Sequence, residues 1–292
     1  MLGIIIPVLE EELESFKENL YRLKNCLNQA QIKKYQICVI VQTTNQILLE
    51  ASNNVIYKKV PYRSVSHARN IGLDTLSHEC EYMYFLDQDA LPTVSFLQQA
   101  KINMDNKLDV WSGKIFWTSD SCDHCLHEDS KSILLNSFFV PFTSFLGCYF
   151  FKSNLIVGHD IRFNENLGPA EDTYLKTGED ILFICEFFSK HQIFYYLSYP
   201  NLKVFHPKRP ADNSKTLMYL DGQAAVAKHC ITCQDLNFRI RLASLLYYCL
   251  FIINGFKKFI FNETEGFLIF RKRIYTIFHK FDITSKDCPK KM

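Results

Sequence analysis

Short apolar runs alternate along this chain with amphipathic stretches. Residues 2–6 (LGIII) read as a buried strand that stops at Pro7. Leu13, Phe16, Leu20, Leu23 and Leu27 then recur at helical spacing, which predicts a helix over 11–30 with one apolar face. YQICVIV (35–41) is a second apolar strand and residues 55–60 a third. Residues 66–76 predict a short helix after a turn, and residues 82–86 the next strand. Strands that alternate with helices favour a parallel α/β sheet, with ligands at the carboxyl ends of its strands.

Beyond residue 93 the pattern is less regular. It predicts a helix near 94–104, strand-like runs at 109–117 and 145–152 with a polar loop (118–132) between them, a helix at 179–190, and strands near 193–197 and 202–205. The tail from about 211 differs. Residues 215–230 predict one helix, and LASLLYYCLFIINGF (242–256) is apolar for 15 residues, flanked by Arg239, Arg241, Lys257 and Lys258. That run is short of the roughly 20 residues a spanning helix needs. Its basic flanks suit a segment lying in a membrane interface, and the alternative is a buried C-terminal helix.

Composition narrows the picture. At 292 residues the chain is one large domain, or one domain with an appendage. Its 48% hydrophobic content permits a sizeable core, and its net charge of +2 gives no argument for nucleic-acid binding. The 11 cysteines are scattered, several in apolar runs (Cys38, Cys148, Cys185, Cys249), which suits reduced core thiols in a cytoplasmic protein. The first nine residues are apolar but contain Pro7 and lead into Glu10, Glu11 and Glu12 without a basic segment, unlike a secretory signal.

The most informative segment is YMYFLDQDALP (82–92), an apolar strand that ends in two carboxylates, Asp87 and Asp89. Hard oxygen ligands at a strand exit suit a divalent cation, and a cation suits a phosphorylated ligand. The competing reading is a turn that caps the next helix. Three more segments accompany it: SHARNIGLDTL (66–76), TGEDILF (177–183) and VFHP (204–207). In the first, Arg69 can reach a diphosphate, or it can be a solvated arginine on a helix face. In the second, Glu179 and Asp180 lie at a helix start, where acids are favoured by the dipole, and where a fixed carboxylate can also serve as a general base. In the third, His206 is either structural or a metal ligand.

With the opening IIIPVLEEE (4–12), these segments resemble, in order, the motifs of glycosyltransferase family 2 enzymes of the GT-A fold. The resemblance covers about residues 3–210. It implies an α/β, Rossmann-like mixed sheet flanked by helices (GT-A), with a nucleotide-binding half at 1–93, an acceptor half at 94–210, and a C-terminal helical appendage at 211–292 that can associate with a membrane. It further implies Mn2+ or Mg2+ bound at Asp89, with His206 completing the site. Asp87, Gln88, Arg69, Gln42, Glu10, Pro7 and Val8 would contact a nucleotide-sugar donor, with Asp180 as the base and Glu179 orienting the acceptor. FNENLGPAEDTYLKTGED (163–180) and DGQAAVAKH (221–229) are similar to a subset of the family in bacterial polysaccharide assembly, with residues 167–172 lining a sugar or acceptor pocket. The implied reaction is inverting transfer, from UDP-sugar by preference, to a glycan or lipid-linked glycan at the inner face of a cell membrane.

Two departures stand out. Where many members carry an Asp pair after the second strand, this chain reads VIVQTTN (39–45), so Gln42 or Thr43 takes the place of a carboxylate. Glu10 stands where many members have Asn. Other readings compete. A nucleotidyltransferase would want a Gly-rich loop with Lys near the first strand, and residues 7–15 have neither. A non-catalytic sugar- or lipid-binding module would bind donor without turnover. Cys122-x-x-Cys125 and Cys230-x-x-Cys233 could form a zinc site, although more than 100 residues separate the pairs.

Overall fold

A computed structural model describes residues 1–45, 52–118, 131–143, 145–207, 213–261 and 266–284. In chain order its elements are β1 (Leu2–Leu9), α1 (Leu13–Gln29), β2 (Tyr35–Gln42), β3 (Val55–Val60), α2 (Val65–Leu76), β4 (Tyr82–Phe85), β5 (Leu91–Pro92), α3 (Val94–Asp105), β6 (Val110–Thr118), β7 (Ile133–Asn136), α4 (Val140–Thr143), β8 (Tyr149–Lys152), α5 (Ser153–Gly158), α6 (Glu179–Lys190), β9 (Tyr195–Pro207), α7 (Asn213–Thr232), α8 (Phe238–Ile260) and α9 (Gly266–Phe278). The chain forms two compact units. The first comprises Met1–Leu135, Phe145–Arg162 and Tyr195–Arg209; the second comprises Asn136–Ser144, Phe163–Phe194 and Pro210–Met292.

The first unit is built on a mixed sheet of order β3-β2-β1-β4-β8-β6-β9-β5, with β7 beside β9. β3, β2, β1 and β4 are parallel neighbours, and β8 pairs antiparallel with both β4 and β6. Because β2 lies on one side of β1 and β4 on the other, the strand order reverses beside β1, where open α/β sheets leave a crevice at the strands' carboxyl ends. The sheet's middle is filled by aromatic rings: Tyr84 and Trp111 stack on Phe150 at 4.3 and 5.1 Å between centroids.

The first strand does not stop at Pro7 but runs on to Leu9. Ile5 accepts a hydrogen bond from Leu86 on the β4 side, so the alternation of a parallel ladder turns the missing N–H of Pro7 to that side too. There the ladder has already ended at Ile5, so the proline costs no bond. Likewise the strands expected near 193–197 and 202–205 are one strand, β9. The β6–β9 register slips between Ser112 and Lys114, opposite the segment that holds Pro200, and such a bulge tolerates a proline.

The second unit is helical. Its core joins Leu220 and Ala224 of α7, Phe251 of α8 and Ile269 of α9, and Phe163 stacks on Phe183 of α6 at 4.2 Å. The apolar run at 242–256 extends in both directions into a 23-residue helix, α8. Six cysteines, Cys26, Cys38, Cys80, Cys148, Cys185 and Cys230, are buried free thiols, but Cys249 is exposed on α8. Cys230 and Cys233 lie on or just after α7, while Cys122 and Cys125 fall outside the described residues.

Gly72 has a packing reason. A Cβ there would strike Ile5 on the fully buried β1 and reach within 3.1 Å of Ile40 on β2. Gly72→Ala should gain about 1 kcal/mol in helix propensity yet lose about 1–3 kcal/mol to overpacking. A net loss of stability in urea denaturation is expected.

Candidate functional site

β4 is buried along its whole length, and the chain surfaces only at Asp87-Gln88-Asp89. A tight turn follows, in which the Ala90 N–H donates to the Asp87 carbonyl at 3.0 Å. Gln88, expected on the donor, also holds the fold together. Its side-chain oxygen accepts from the Leu9 N–H at 2.9 Å and its carbonyl from the Asn19 amide at 3.1 Å. The residue between the two acids is therefore tied to β1 and α1.

β9 brings the third member. His206 is buried, with the rings of Trp117 and Phe145 beside it at 4.7 and 5.7 Å. Its Nδ1 lies 3.0 Å from the Pro207 carbonyl, to which it donates when protonated there. That bond leaves Nε2 as the ligand atom of the neutral ring. Nε2 faces both acids, 3.2 Å from Asp89 and 3.7 Å from Asp87. Asp87, Asp89 and His206 each offer one ligand atom, and these lie within 4.8 Å of one another. Two half-buried carboxylates and a buried imidazole, convergent, are a donor set that fits Mn2+ or Mg2+, with the nitrogen favouring Mn2+. Burial works against charge on His206, but its contacts with Asp87 and Asp89 outweigh this and raise its pKa.

Arg69 adds the cation. It is buried in α2, and its guanidinium meets the Asp87 carboxylate at 3.0 Å. Ser64 caps α2 by accepting from the His67 N–H. Gln42 in turn accepts from the Ser64 N–H at 2.8 Å and is itself buried. This residue, expected at the donor, thus anchors the helix that carries Arg69.

Sequence reasoning missed one arrangement nearby. The Glu10 carboxylate, just past β1, accepts from the Thr43 hydroxyl and from the Asn45 amide, both just past β2. The Thr43 bond is the largest of the effects that lower its pKa, followed by that of Asn45. A carboxylate therefore does sit at the end of the second strand, delivered from the first. The polar triplet after Val41-Gln42 was the available signal. Pro7 and Val8 are buried within β1.

The remaining pair lies on the second unit. Glu179 and Asp180 open α6 behind Gly178, whose φ of +106° requires glycine. Glu179 is buried and Asp180 half-exposed. The loop before them turns at Gly168 (φ +93°), where a Cβ would come within 2.8 Å of the Glu179 carboxyl carbon. On α7, Gly222 lies against the Thr177 backbone and gives way to no larger residue. Next to it, buried Asp221 accepts from Tyr174 at 2.9 Å and pairs with Lys272 at 2.6 Å. The structure thus gathers Asp87, Asp89, His206 and Arg69 on the first unit, and sets Glu179 and Asp180 at one helix start on the second.

No family model and no curated protein matches the sequence. Solved structures do match in fold. S. aureus TarS 1–349 is 15% identical, with a TM-score of 0.58 over 94% of this chain and 80% of that one. The same protein in complex with UDP-GlcNAc is 16% identical, with a TM-score of 0.52 over 80% and 67%. GalNAc-T7 with UDP, GalNAc and Mn2+ is 12% identical, with a TM-score of 0.51 over 80% and 48%. The chain has the α/β architecture of GT-A glycosyltransferase structures, with helices at its C-terminal end.

The geometry makes metal binding testable by calorimetry. Asp89→Ala should weaken Mn2+ binding by at least about tenfold, since losing even a supporting residue of a metal site costs that much; unchanged affinity would remove Asp89 from the site. Protons compete with metal at His206, so affinity should fall as the pH drops through its raised pKa, and His206→Gln should flatten that dependence. Without metal the sign is opposite. Charged His206 stabilises the fold below its unfolded pKa of about 6.5, and this contribution is lost as pH rises through the raised folded value.

Proposed function

We propose that this chain is a metal-dependent, inverting glycosyltransferase, of family 2 by its motifs. It moves a sugar from a nucleotide-diphosphate donor, UDP-sugar by preference, to a hydroxyl of a glycan or lipid-linked glycan. The observation that carries the reading is the Asp87–Asp89–His206 cluster with Arg69 beside it, at the carboxyl ends of β4, next to the reversal of strand order, and of β9. Support comes from the fold, shared with structures that hold UDP-GlcNAc, or UDP, GalNAc and Mn2+. The setting is bacterial surface polysaccharide synthesis, of capsule or lipopolysaccharide type, at the cytoplasmic face of a membrane. The similarity of residues 163–180 and 221–229 to that subset supports it.

Asp89 and His206 would hold a divalent ion, which would supply positive charge against the departing diphosphate. The chain's own residues do the rest. Arg69 fixes the Asp87 carboxylate and adds a buried positive charge beside the acids. Asp87 turns its second oxygen toward His206 Nε2, at 3.7 Å, where the carboxylate can meet the cation or the donor's ribose. Glu10, held charged by Thr43 and Asn45, supplies a hydrogen-bond acceptor for an N–H of the base. Asp180 takes the proton from the attacking hydroxyl. Glu179, enclosed by the Gly168 turn at the start of α6, helps to orient the acceptor.

A thermal-shift screen of nucleotide sugars with Mn2+ should single out the donor, and UDP release with and without acceptor should then report transfer. Asp180→Asn should keep donor binding but lower turnover by roughly 10²–10⁴-fold. Retained turnover would exclude Asp180 as the base. Glu10→Ala should raise the donor's KM and leave the Mn2+ affinity as it was; an unchanged KM would place the base elsewhere.

A further inference from the structure

α8 is apolar on two opposite faces. One face, through Ile240, Ala243, Phe251 and Gly255, is buried in the second unit, where α8 packs on α7 and α9. The other is left open by the described residues: Leu242, Leu246, Leu250, Ile253, Phe256 and Ile260 recur at helical spacing, and each is 44–59% exposed. This stripe runs about 27 Å at 1.5 Å per residue. α9, packed beside α8, adds exposed Phe267, Leu268, Tyr275 and Phe278. An uncovered apolar surface of this extent marks an interaction site.

Charge indicates the occupant. Neither α8 nor α9 contains an acidic residue. Arg239 and Arg241 stand at the start of α8, Lys257 and Lys258 near its end, and Arg271 is exposed on α9. A second copy pairing through the stripe would set cations against cations whether the two helices ran parallel or antiparallel. An anionic lipid surface meets both features, taking the apolar stripe among its acyl chains and the basic ends among its headgroups. α8 has the length and hydropathy of a spanning helix, yet α7 and α9 occupy its other face. Lys228 of α7 donates to the Ile277 and His279 carbonyls at the end of α9, and Tyr248 of α8 meets Thr276 of α9 at 3.0 Å.

We infer that α8 and α9 form an interfacial docking face for an anionic membrane, with α8 lying in the plane of the leaflet. The face gives the proposed lipid-linked acceptor its place, and rests on that reading for its purpose but not for its chemistry.

Co-sedimentation of the full chain with vesicles of phosphatidylcholine, alone or mixed with phosphatidylglycerol, tests it. Binding to the mixed vesicles should exceed binding to the neutral ones by roughly tenfold or more. Leu246→Glu with Leu250→Glu should abolish it, and Lys257→Glu with Arg271→Glu should weaken it roughly tenfold. All four positions are exposed, and circular dichroism checks that the variants fold. Binding to neither vesicle, or equal binding to both, overturns the assignment. So does a self-association in sedimentation velocity that Leu246→Glu with Leu250→Glu removes while wild type ignores vesicles. Thermal shift with UDP and Mn2+ on the same proteins reports separately on the sugar-transfer reading.

Discussion

Two carboxylates one residue apart at the end of a buried strand repel each other, and much of the first unit serves to hold them together. The opposing charges come from elsewhere in the chain. Arg69 meets Asp87 from α2, and His206 faces both acids from the end of β9. Each partner is itself fixed: Arg69 by a helix cap that Gln42 anchors, His206 by the Pro207 carbonyl and the rings around it. Gln88, between the acids, is bound to β1 and α1, so the turn cannot swing away. The sheet is the frame for all of this, because it ends β1, β4 and β9 with their carboxyl ends at one edge.

The second unit shows the same economy in backbone. Three glycines shape the surroundings of Glu179 and Asp180. Gly168 turns a loop onto Glu179, Gly178 starts α6 in a left-handed conformation, and Gly222 lets α7 touch the chain just before it. Asp221, next to Gly222, joins Tyr174 of that loop to Lys272 of α9. The loop, α6 and the tail helices therefore share one set of contacts within this unit. Lys228 closes the end of α9 by donating to its last carbonyls, a burial that lowers its own pKa.

Local pattern made most of the regular elements legible. The spacing of Leu13 to Leu27 predicted α1, and the apolar runs predicted β2, β3 and β4 nearly to the residue. The pattern failed where a proline meant something only in context. Pro7 looks like a strand end, and only the position of β4 shows that its missing donor is harmless. Pro200 splits an apolar run that a bulge reunites. β5 and β7 are too short to carry a period. The second unit draws on three separated segments, and no local signal marks such a division.

The candidate site divides along the same line. The sequence by itself determined which residue types were present and on which strand or helix they stood: Asp87 and Asp89 at a strand exit, Arg69 on a short helix, Asp180 at a helix start. Only the tertiary structure decided their company. It made anchors of Gln42 and Gln88, because their side-chain oxygens accept from the backbone N–H groups of Ser64 and Leu9. It carried the Glu10 carboxylate to Thr43 and Asn45, because β1 and β2 are neighbours in register. It brought His206 within 3.2 Å of Asp89 across 117 residues of chain, because β9 and β4 belong to one sheet. Element type follows from the spacing of apolar residues a few positions apart, whereas the meeting of distant side chains depends on strand order and register, which no local spacing encodes.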